Sequence, residues 1–414
     1  MSWLIPRSEL TPDQERAITL GADEHRAVVG GPGSGKTQIL LYRAQHLARK
    51  YGIGPESYRV FVYTNVLKDY IQSALPLLDL PSDNVLTFDH WCRLFYERHI
   101  NRRLPWDARH KMPDFALMRS GVAQAIERGA VRLPMYDFVL VDEGQDLPDR
   151  VYRVLSRVSR HITVCLDRKQ QIYDTGSAEE EVLTVLGLRR RNMSLIDAFR
   201  VCPYLVKLAA EFIPDPDEKQ AFINQARQPQ TEKQTPYLHL AGSADEELSE
   251  LYRVVRERQM KNDRIAILYP QVRQVMGYAR RLRDAGIEVE VPPRRWGKSE
   301  FPAHDFNSSR PKLMPYHSVK GLTFDTVIMP RLTRESFGRF LPERIERLLF
   351  VGITRATRWV FLQAPANNLL PSLAGAAEKL RAEGVMHVSG GGGAAAYEKA
   401  DGDGRPGEDD LDFL

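Results

Sequence analysis

Short apolar runs without strict alternation recur along the first third of the chain, and stretches with helical periodicity separate them. Such runs are typical of parallel strands that are covered by helices on both faces. The alternation of strand and helix therefore predicts a doubly wound α/β domain. The predicted strands are Arg26–Val29, Arg59–Tyr63, Asn84–Thr87, Phe138–Val141 and Ile162–Leu166.

A second series of the same kind follows and predicts a second α/β domain. Amphipathic stretches at 244–261 and 271–285 predict helices between its strands. We place the domain boundary near Gly187, which gives domains of residues 1–187 and 188–388. The strands of the second domain are predicted at Tyr237–Leu240, Arg264–Tyr269, Ile287–Val291, Lys312–Met314, Thr326–Met329 and Trp359–Leu362.

Two segments differ in composition from the domain bodies. Residues 92–134 are rich in arginine and aromatic side chains and predict a small, mainly helical insert in the first domain. Residues 389–414 begin with a Gly-rich run, which predicts a flexible linker, and continue as an acidic tail. The tail joins acidic residues to Leu411, Phe413 and Leu414, as peptide ligands of protein partners do, and the alternative is a solubilising or masking tail.

The charge of the chain is unevenly distributed. The stretch Glu398–Leu414 holds seven acidic and two basic residues, so the rest of the chain carries +9 although the whole carries only +4. A basic body suits a phosphate-rich partner such as nucleic acid.

The cysteines and the hydropathy of the chain indicate the cellular compartment of the protein. The three cysteines, Cys92, Cys165 and Cys202, are far apart and match no zinc or disulfide pattern. This usage is typical of a reducing cytoplasm. Because there is no apolar run of 18 residues and no secretory signal at the start, we expect a cytoplasmic protein without a membrane span.

A phosphate-binding motif follows the first predicted strand. The segment Gly30–Thr37 reads Gly-Gly-Pro-Gly-Ser-Gly-Lys-Thr and lies between a strand and a helix, as a P-loop requires. In such a loop the backbone N–H groups surround phosphate oxygens, the lysine reaches the β- and γ-phosphates, and the threonine coordinates Mg²⁺. The expected nucleotide contacts are Gly31, Gly33, Ser34, Gly35, Lys36, Thr37 and Gln38.

A pair of carboxylates follows the strand at 138–141. Acidic residues at the carboxyl end of a strand face the ligand crevice of an open α/β sheet. Asp142 is expected to hold Mg²⁺ together with Thr37, and Glu143 to orient and deprotonate the attacking water. The P-loop and this pair together predict hydrolysis of ATP with Mg²⁺.

The sequence Asp142-Glu-Gly-Gln-Asp146 resembles motif II of UvrD/Rep-like superfamily 1 helicases. The similarity covers residues 10 to about 365 and implies two RecA-like P-loop domains in tandem, with parallel sheets flanked by helices. The other matching segments follow in the order of that family's motifs: Leu10–Gln14 (Q-motif), Tyr63–Asn65 (Ia), Thr87–Trp91 (Ic), Leu166–Tyr173 (III), Ala198–Arg200 (IV), His317–Phe324 (V) and Arg347–Ala356 (VI).

The resemblance implies roles for individual residues. Near the nucleotide it implies Gln14 at the adenine edge, Phe199 stacked on the base, and also Arg43 and Gly321. At the γ-phosphate it implies Gln170 as a sensor and Arg200 and Arg355 as arginine fingers. For nucleic acid it implies Thr64, Asn65, Thr87, Phe88, His90, His317 and Lys320. A helix-capping role for Gln14, a core role for Phe199 and a structural role for His90 remain open.

The chain departs from the family pattern in four ways. Thr323 replaces the usual glutamate of motif V, Ala198 replaces the usual asparagine of motif IV, and motif III lacks its base-stacking aromatic residue. Only Pro292–Pro311 occupies the place of the family's large second-domain insertion. These departures indicate a reduced motor core.

Three functions compete at this point. The leading one is an ATPase stimulated by single-stranded DNA that translocates 3′ to 5′ or unwinds duplexes. The second is a regulatory or loading ATPase whose cycle switches a protein partner, with nucleic acid as an effector. The third, a small-molecule P-loop kinase, is disfavoured by Arg200 and Arg355.

Overall fold

The computed structural model describes residues 3–109, 111–167, 179–189, 192–196, 201–225, 233–293 and 299–390. Two six-stranded parallel sheets flanked by helices form the fold, in the arrangement of tandem RecA-like domains. The first compact unit contains the residues up to Gly30 together with Gly35–Ile196, and the second contains Gly31–Ser34 and the residues that follow Ile196. Within the described ranges, no helix is long and apolar enough to cross a membrane.

The first sheet is parallel throughout, with the order β3-β2-β6-β7-β1-β8. Its central strands are buried along nearly their whole length, as the apolar runs predict. The strands are β1 Arg26–Gly30, β2 Tyr58–Val62, β3 Val85–Thr87, β6 Tyr136–Val141, β7 Ser159–Leu166 and β8 Met193–Ile196, and β4 Trp106–Asp107 and β5 Met112–Pro113 form a separate antiparallel ribbon.

The helices of the first unit pack apolar faces against this sheet. In the helix Asp149–Val158, Val151, Val154, Leu155 and Val158 recur at helical spacing and are buried. The predicted insert contains helical residues on both sides of the β4–β5 ribbon. The helices are α1 Pro12–Thr19, α2 Lys36–Tyr51, α3 Asn65–Gln72, α4 Phe88–His99, α5 Phe115–Glu127, α6 Asp149–Val158 and α7 Glu179–Val185.

The second sheet repeats the first in topology. Its order is β11-β10-β12-β13-β9-β14, and all of its pairings are parallel. In both sheets the order by position in the chain is third, second, fourth, fifth, first, sixth. The elements are α8 Pro203–Ala210, α9 Pro216–Gln225, β9 Tyr237–Ala241, α10 Ala244–Met260, β10 Ile265–Tyr269, α11 Val272–Asp284, β11 Lys312–Pro315, β12 Phe324–Met329, α12 Pro342–Ile353, β13 Ala356–Pro365, α13 Pro371–Ala382 and β14 His387–Gly390.

Three details differ from the prediction. The first unit extends past Gly187, because β8 pairs with β1 and completes the first sheet. The stretch 287–291 forms only two isolated bridges, and its apolar side chains are buried in a hydrophobic cluster without a strand ladder. Ser389 and Gly390 belong to β14 and not to the linker, since they pair with β9.

Arg43, which was expected beside the nucleotide, forms hydrogen bonds inside the first unit instead. Its side chain is fully buried. Nε donates to Thr163 Oγ1 at 2.7 Å, Nη1 donates to the carbonyls of Ile18 and Leu20 at 3.0 and 2.7 Å, and Nη2 lies 3.0 Å from His161 Nε2. Burial lowers the pKa of Arg43 to about 10. The guanidinium thus ties the carboxyl end of α1 to β7, and its donors are engaged within the protein.

We expect Arg43→Met to lower the free energy of unfolding by about 3 kcal/mol, because several buried carbonyls lose a charged donor. This corresponds to a fall in Tm of roughly 10 °C for a domain of this size. Arg49→Met is the matched control, because Arg49 lies on the same helix and forms only an exposed pair with Asp79. Thermal unfolding followed by circular dichroism measures both variants. A higher KM for ATP with unchanged Tm in Arg43→Met would restore the nucleotide-contact role.

Candidate active site

The loop between β1 and α2 depends on two glycines with positive φ. Gly33 has φ 74° and Gly35 has φ 81°, a region that side chains with a Cβ avoid. Gly35 also caps α2, and a Cβ there would lie 2.7 Å from Gln14 Nε2. Within the loop, Ser34 Oγ donates to the Gly31 carbonyl at 2.8 Å. The loop therefore leads the backbone into a helix N-terminus, where N–H groups and the helix dipole favour an anion.

Lys36 is the first residue of α2 and is almost fully buried. Its Nζ donates to the Gly30 carbonyl at 2.8 Å and lies 3.2 Å from Asp167 Oδ2. Asp167 follows β7, which lies between β1 and β6 in the sheet. The carboxyl ends of these three strands thus bring the loop lysine and Asp167 together.

Thr37 and Asp142 form an oxygen pair at the same edge of the sheet. Thr37 Oγ1 donates to Asp142 Oδ2 at 2.7 Å, and the Asp142 backbone N–H donates to the Phe61 carbonyl at 2.9 Å. Burial, reinforced by the charge of Glu143, raises the pKa of Asp142 to about 6, against the lowering effects of Thr37 and Lys36. A hydroxyl and a carboxylate held together are ligands that suit a hard cation such as Mg²⁺. A cation there would favour the ionised carboxylate.

Glu143 adopts an unusual backbone conformation, with φ 48° and ψ 45°. Non-glycine residues rarely occupy this left-handed region, and such strain concentrates at functional sites. Gln145 Nε2 donates to Glu143 Oε2 at 2.6 Å, and Gln145 Oε1 accepts from the Asp167 N–H at 3.0 Å. Gln145 therefore connects the proposed base to the residue that faces Lys36.

Gly144 has no room for a side chain. A Cβ at this position would lie 2.4 Å from Val164 Cγ2 and 2.5 Å from the Tyr152 hydroxyl oxygen. The Tyr152 hydroxyl donates to the Gly144 carbonyl at 2.6 Å. Helix α6, which carries Tyr152, thereby fixes the turn that holds Glu143.

Gln14 has the helix-capping role that the sequence had left open, and its contact with adenine stays a prediction. Its Oε1 accepts from the Thr11 N–H at 3.0 Å and its backbone N–H donates to Thr11 Oγ1 at 3.3 Å, so it closes a capping box on α1. The buried amide nitrogen faces Gly35. Gln38, also expected at the nucleotide, donates from Nε2 to the Trp3 carbonyl at 3.2 Å.

The residues predicted for the second domain are only partly described. Arg355 is buried, with Nε donating to the Val351 carbonyl and Nη2 to Thr354 Oγ1, both at 3.2 Å. Gly321 is buried with φ 78°. Gln170, Phe199 and Arg200 lie outside the described residues, so their roles stay predictions.

Four of the predicted nucleic-acid residues lie at helix N-termini. Thr64 Oγ1 caps α3 by accepting from Leu67 N–H, and Thr87 Oγ1 caps α4 by accepting from the His90 N–H. Asn65 and His90 are exposed beside these caps. Both helices begin directly after neighbouring strands, β2 and β3, so the four residues share one edge of the sheet.

The other three predicted contacts are buried to different degrees. Phe88 is 6% exposed and packs on Phe61 and Trp91, with ring centroids 5.9 and 5.5 Å away, so the structure assigns it to the core and not to base stacking. Lys320 is 3% exposed, so a contact with phosphate would require a local rearrangement there. His317 is partly buried, and burial lowers its pKa to about 4, so its imidazole is neutral at pH 7.

Gln145 and Asp167 are the functional candidates that sequence reasoning missed. Both belong to segments that match family motifs, but they are 22 residues apart and their contact depends on the adjacency of β6 and β7. Their polar character directly after buried strands was the available signal.

A structure described as the C-terminal domain of a possible DNA helicase from Lactobacillus plantarum WCFS1 is 16% identical and covers 46% of this chain and 98% of its own, with a TM-score of 0.34. A TM-score this low does not establish a shared fold. A search of curated proteins found no significant match.

The family comparison is more informative. The model of the UvrD/REP helicase N-terminal domain matches residues 10–134. The matched range contains Gln14, the loop with Lys36 and the capped N-termini of α3 and α4, and it ends shortly before Asp142. Residues 10–134 of this chain are therefore similar to the N-terminal domain of UvrD/REP helicases.

Proposed function

We propose that this chain is an ATPase stimulated by single-stranded DNA that translocates 3′ to 5′. The similarity of residues 10–134 to the UvrD/REP helicase N-terminal domain supports the coarser statement, a nucleic-acid-dependent ATP motor. The observation that carries the proposal is the group formed at one edge of the first sheet by the buried residues Lys36, Asp142 and Glu143 together with the partly buried Thr37. DNA as the substrate, the polarity and the residue roles are parts of the proposal.

The first step is an exchange of partners by Lys36. Its ammonium group now pairs with Asp167 and the Gly30 carbonyl, and a bound triphosphate would offer more negative charge. Thr37 and Asp142 would hold Mg²⁺, which neutralises phosphate charge when bound. The loop N–H groups and the N-terminus of α2 would bind the remaining phosphate oxygens.

Glu143 is the proposed general base. Its carboxylate would accept a proton from the water that attacks the γ-phosphate, and the left-handed turn determines where that carboxylate lies. Gln145 Nε2 donates to Glu143 Oε2 and so restrains the carboxylate. Gln145 thus acts as a positioning residue, because it touches the base and not the substrate.

Arginine fingers would complete the reaction. In that role Arg355 would exchange its contacts with Val351 and Thr354 for a phosphate oxygen. An exchange of this kind needs a conformational change, so hydrolysis would be slow until nucleic acid favours the active arrangement. Arg200 and the sensor Gln170 are proposed from the motifs alone.

A regulatory or loading ATPase is the second candidate. The placement of Phe88 in the core favours it, because it removes a contact that would grip a strand. In that case nucleic acid would change the ATPase rate without directional movement. A partner bound by the acidic tail stays a prediction, because the tail lies outside the described residues.

We expect Glu143→Gln to lower kcat by about 10²–10⁴ while ATP binding is retained, because the amide cannot accept the proton. Lys36→Ala should instead abolish ATP binding. Phosphate release and binding of a fluorescent ATP analogue measure the two effects. Glu127→Gln, an exposed position on α5, is the control. Steady turnover by Glu143→Gln would show that another group is the base.

Gln145→Ala should lower kcat roughly tenfold with KM for ATP unchanged, since a loosened base loses orientation and not substrate contact. Gln124→Ala, an exposed glutamine on α5, should have no effect. The pH profile of kcat separates the alternatives. Without the amide donor the apparent pKa of the base should rise, and an unchanged profile with a lower Tm would indicate a merely structural role.

Single-stranded DNA should raise the ATPase rate, and its affinity should fall steeply with salt because a basic body binds mainly phosphates. Oligonucleotides with biotin at either end then test direction. A 3′-to-5′ motor displaces streptavidin from the 5′ end only. Stimulation without displacement from either end would favour the regulatory ATPase, and a rate indifferent to every nucleic acid would refute both.

A further inference from the structure

The second sheet has an open edge beside an apolar groove. Among the described residues, β14 pairs only with β9, so its other side has no strand partner. Open edges are usually covered, because unpaired N–H and C=O groups invite another strand. The groove of about 500 Å³ beside this edge is lined by Leu238, Leu240, Leu369, Ala374, Ala377 and Val388.

The side chains of β14 alternate between two environments. Val388 faces the groove with Leu238 and Leu240, whereas Ser389 Oγ lies 2.7 Å from the Tyr237 hydroxyl and 3.1 Å from His239 Nδ1. A strand added at this edge would alternate in the same way. Its groove-facing residues would need to be apolar and two positions apart.

We propose that residues 410–414 of this same chain add to β14 as an edge strand. Their sequence is Asp-Leu-Asp-Phe-Leu, so Leu411 and Phe413 fall on one side of an extended strand, two positions apart. The small side chains of Ala374, Ala377 and Ala382 leave room for them against α13. Asp410, Asp412 and Leu414 fall on the other side.

The position of the segment along the chain supports an intramolecular contact. Residues 391–410 connect β14 directly to Leu411 and begin with glycines. A Gly-rich chain of this length spans roughly 25 Å on average, which suffices for a return to the strand it leaves. The effective concentration of such a tethered segment is on the order of millimolar, well above that of a second copy in dilute solution.

Apolar contact, and not charge, should dominate the docking. Glu378 and Arg381 both lie on the groove, have opposite charges, and form no ion pair with a described residue. Their effects on an acidic segment largely cancel. Affinity should therefore change less than about threefold between 50 and 500 mM salt, since only weak exposed pairs are screened.

The test uses Leu411→Asp/Phe413→Asp in the full chain, with Leu414→Asp as the matched control on the opposite side of the strand. We expect hydrogen exchange of the β14 amides to be at least tenfold faster in the double variant and unchanged in the control. Equal exchange in all three proteins, or an effect of Leu414→Asp as large as that of the double variant, would overturn the proposal. Unchanged thermal unfolding of the first domain confirms that the variants fold.

A labelled peptide of residues 405–414 provides the second measurement. It should bind the double variant, whose groove is empty, at least tenfold more tightly than the native chain, whose own segment competes. Ala382→Glu in the double variant should abolish binding, and raised salt should not. Equal affinity for the two proteins would overturn the proposal. So would self-association of the native chain that the double variant loses, because it would place the segment on a second copy.

Discussion

Four ionisable side chains are buried at one edge of the first sheet. The rest of the site depends on how their mutual contacts compensate for the cost of burying their charges. Lys36 is placed against Asp167, and Asp142 against Thr37 and the neighbouring Glu143. Isolated charges at such burial would cost several kcal/mol each, so every one of them needs a partner. Because the group contains one ammonium and three carboxylates, a triphosphate would need to enter together with Mg²⁺, which would supply the missing positive charge.

Strand order explains why these groups meet. β6, β7 and β1 are neighbours, and Asp142, Asp167 and the glycine loop follow their carboxyl ends. The second sheet has the same strand order, yet β9 continues through Ala241, Gly242 and Ser243 into α10, where Ser243 caps the helix. That connection has neither a lysine nor a longer loop. Both sheets thus have the same strand order, but only the first has a loop suited to binding phosphate.

The sequence predicted those features of the fold and the site that depend on residues close together in the chain. The glycine loop, the acidic pair and most strands are encoded within a few positions, and their placement agrees with the structure. The edge strands β8 and β14 escaped prediction because each is only 4 residues long, and their pairing is decided by distant strands. Arg43 and Phe88 were given ligand contacts because motif position does not reveal burial. Gln145 was missed for the same reason, since its contact spans two strands.

The close packing at Gly144 has a consequence for how the site could be altered. The turn that positions Glu143 packs against the Tyr152 hydroxyl and Val164. These two residues therefore determine how far the turn lies from the sheet. Helix α6 otherwise presents arginines to solvent. A shift of that helix by a few tenths of an ångström, from a changed residue on its buried face, would move the Glu143 carboxylate by a similar amount. If Glu143 is the base we propose, variation on the buried face of α6 would change turnover while the motifs stay intact.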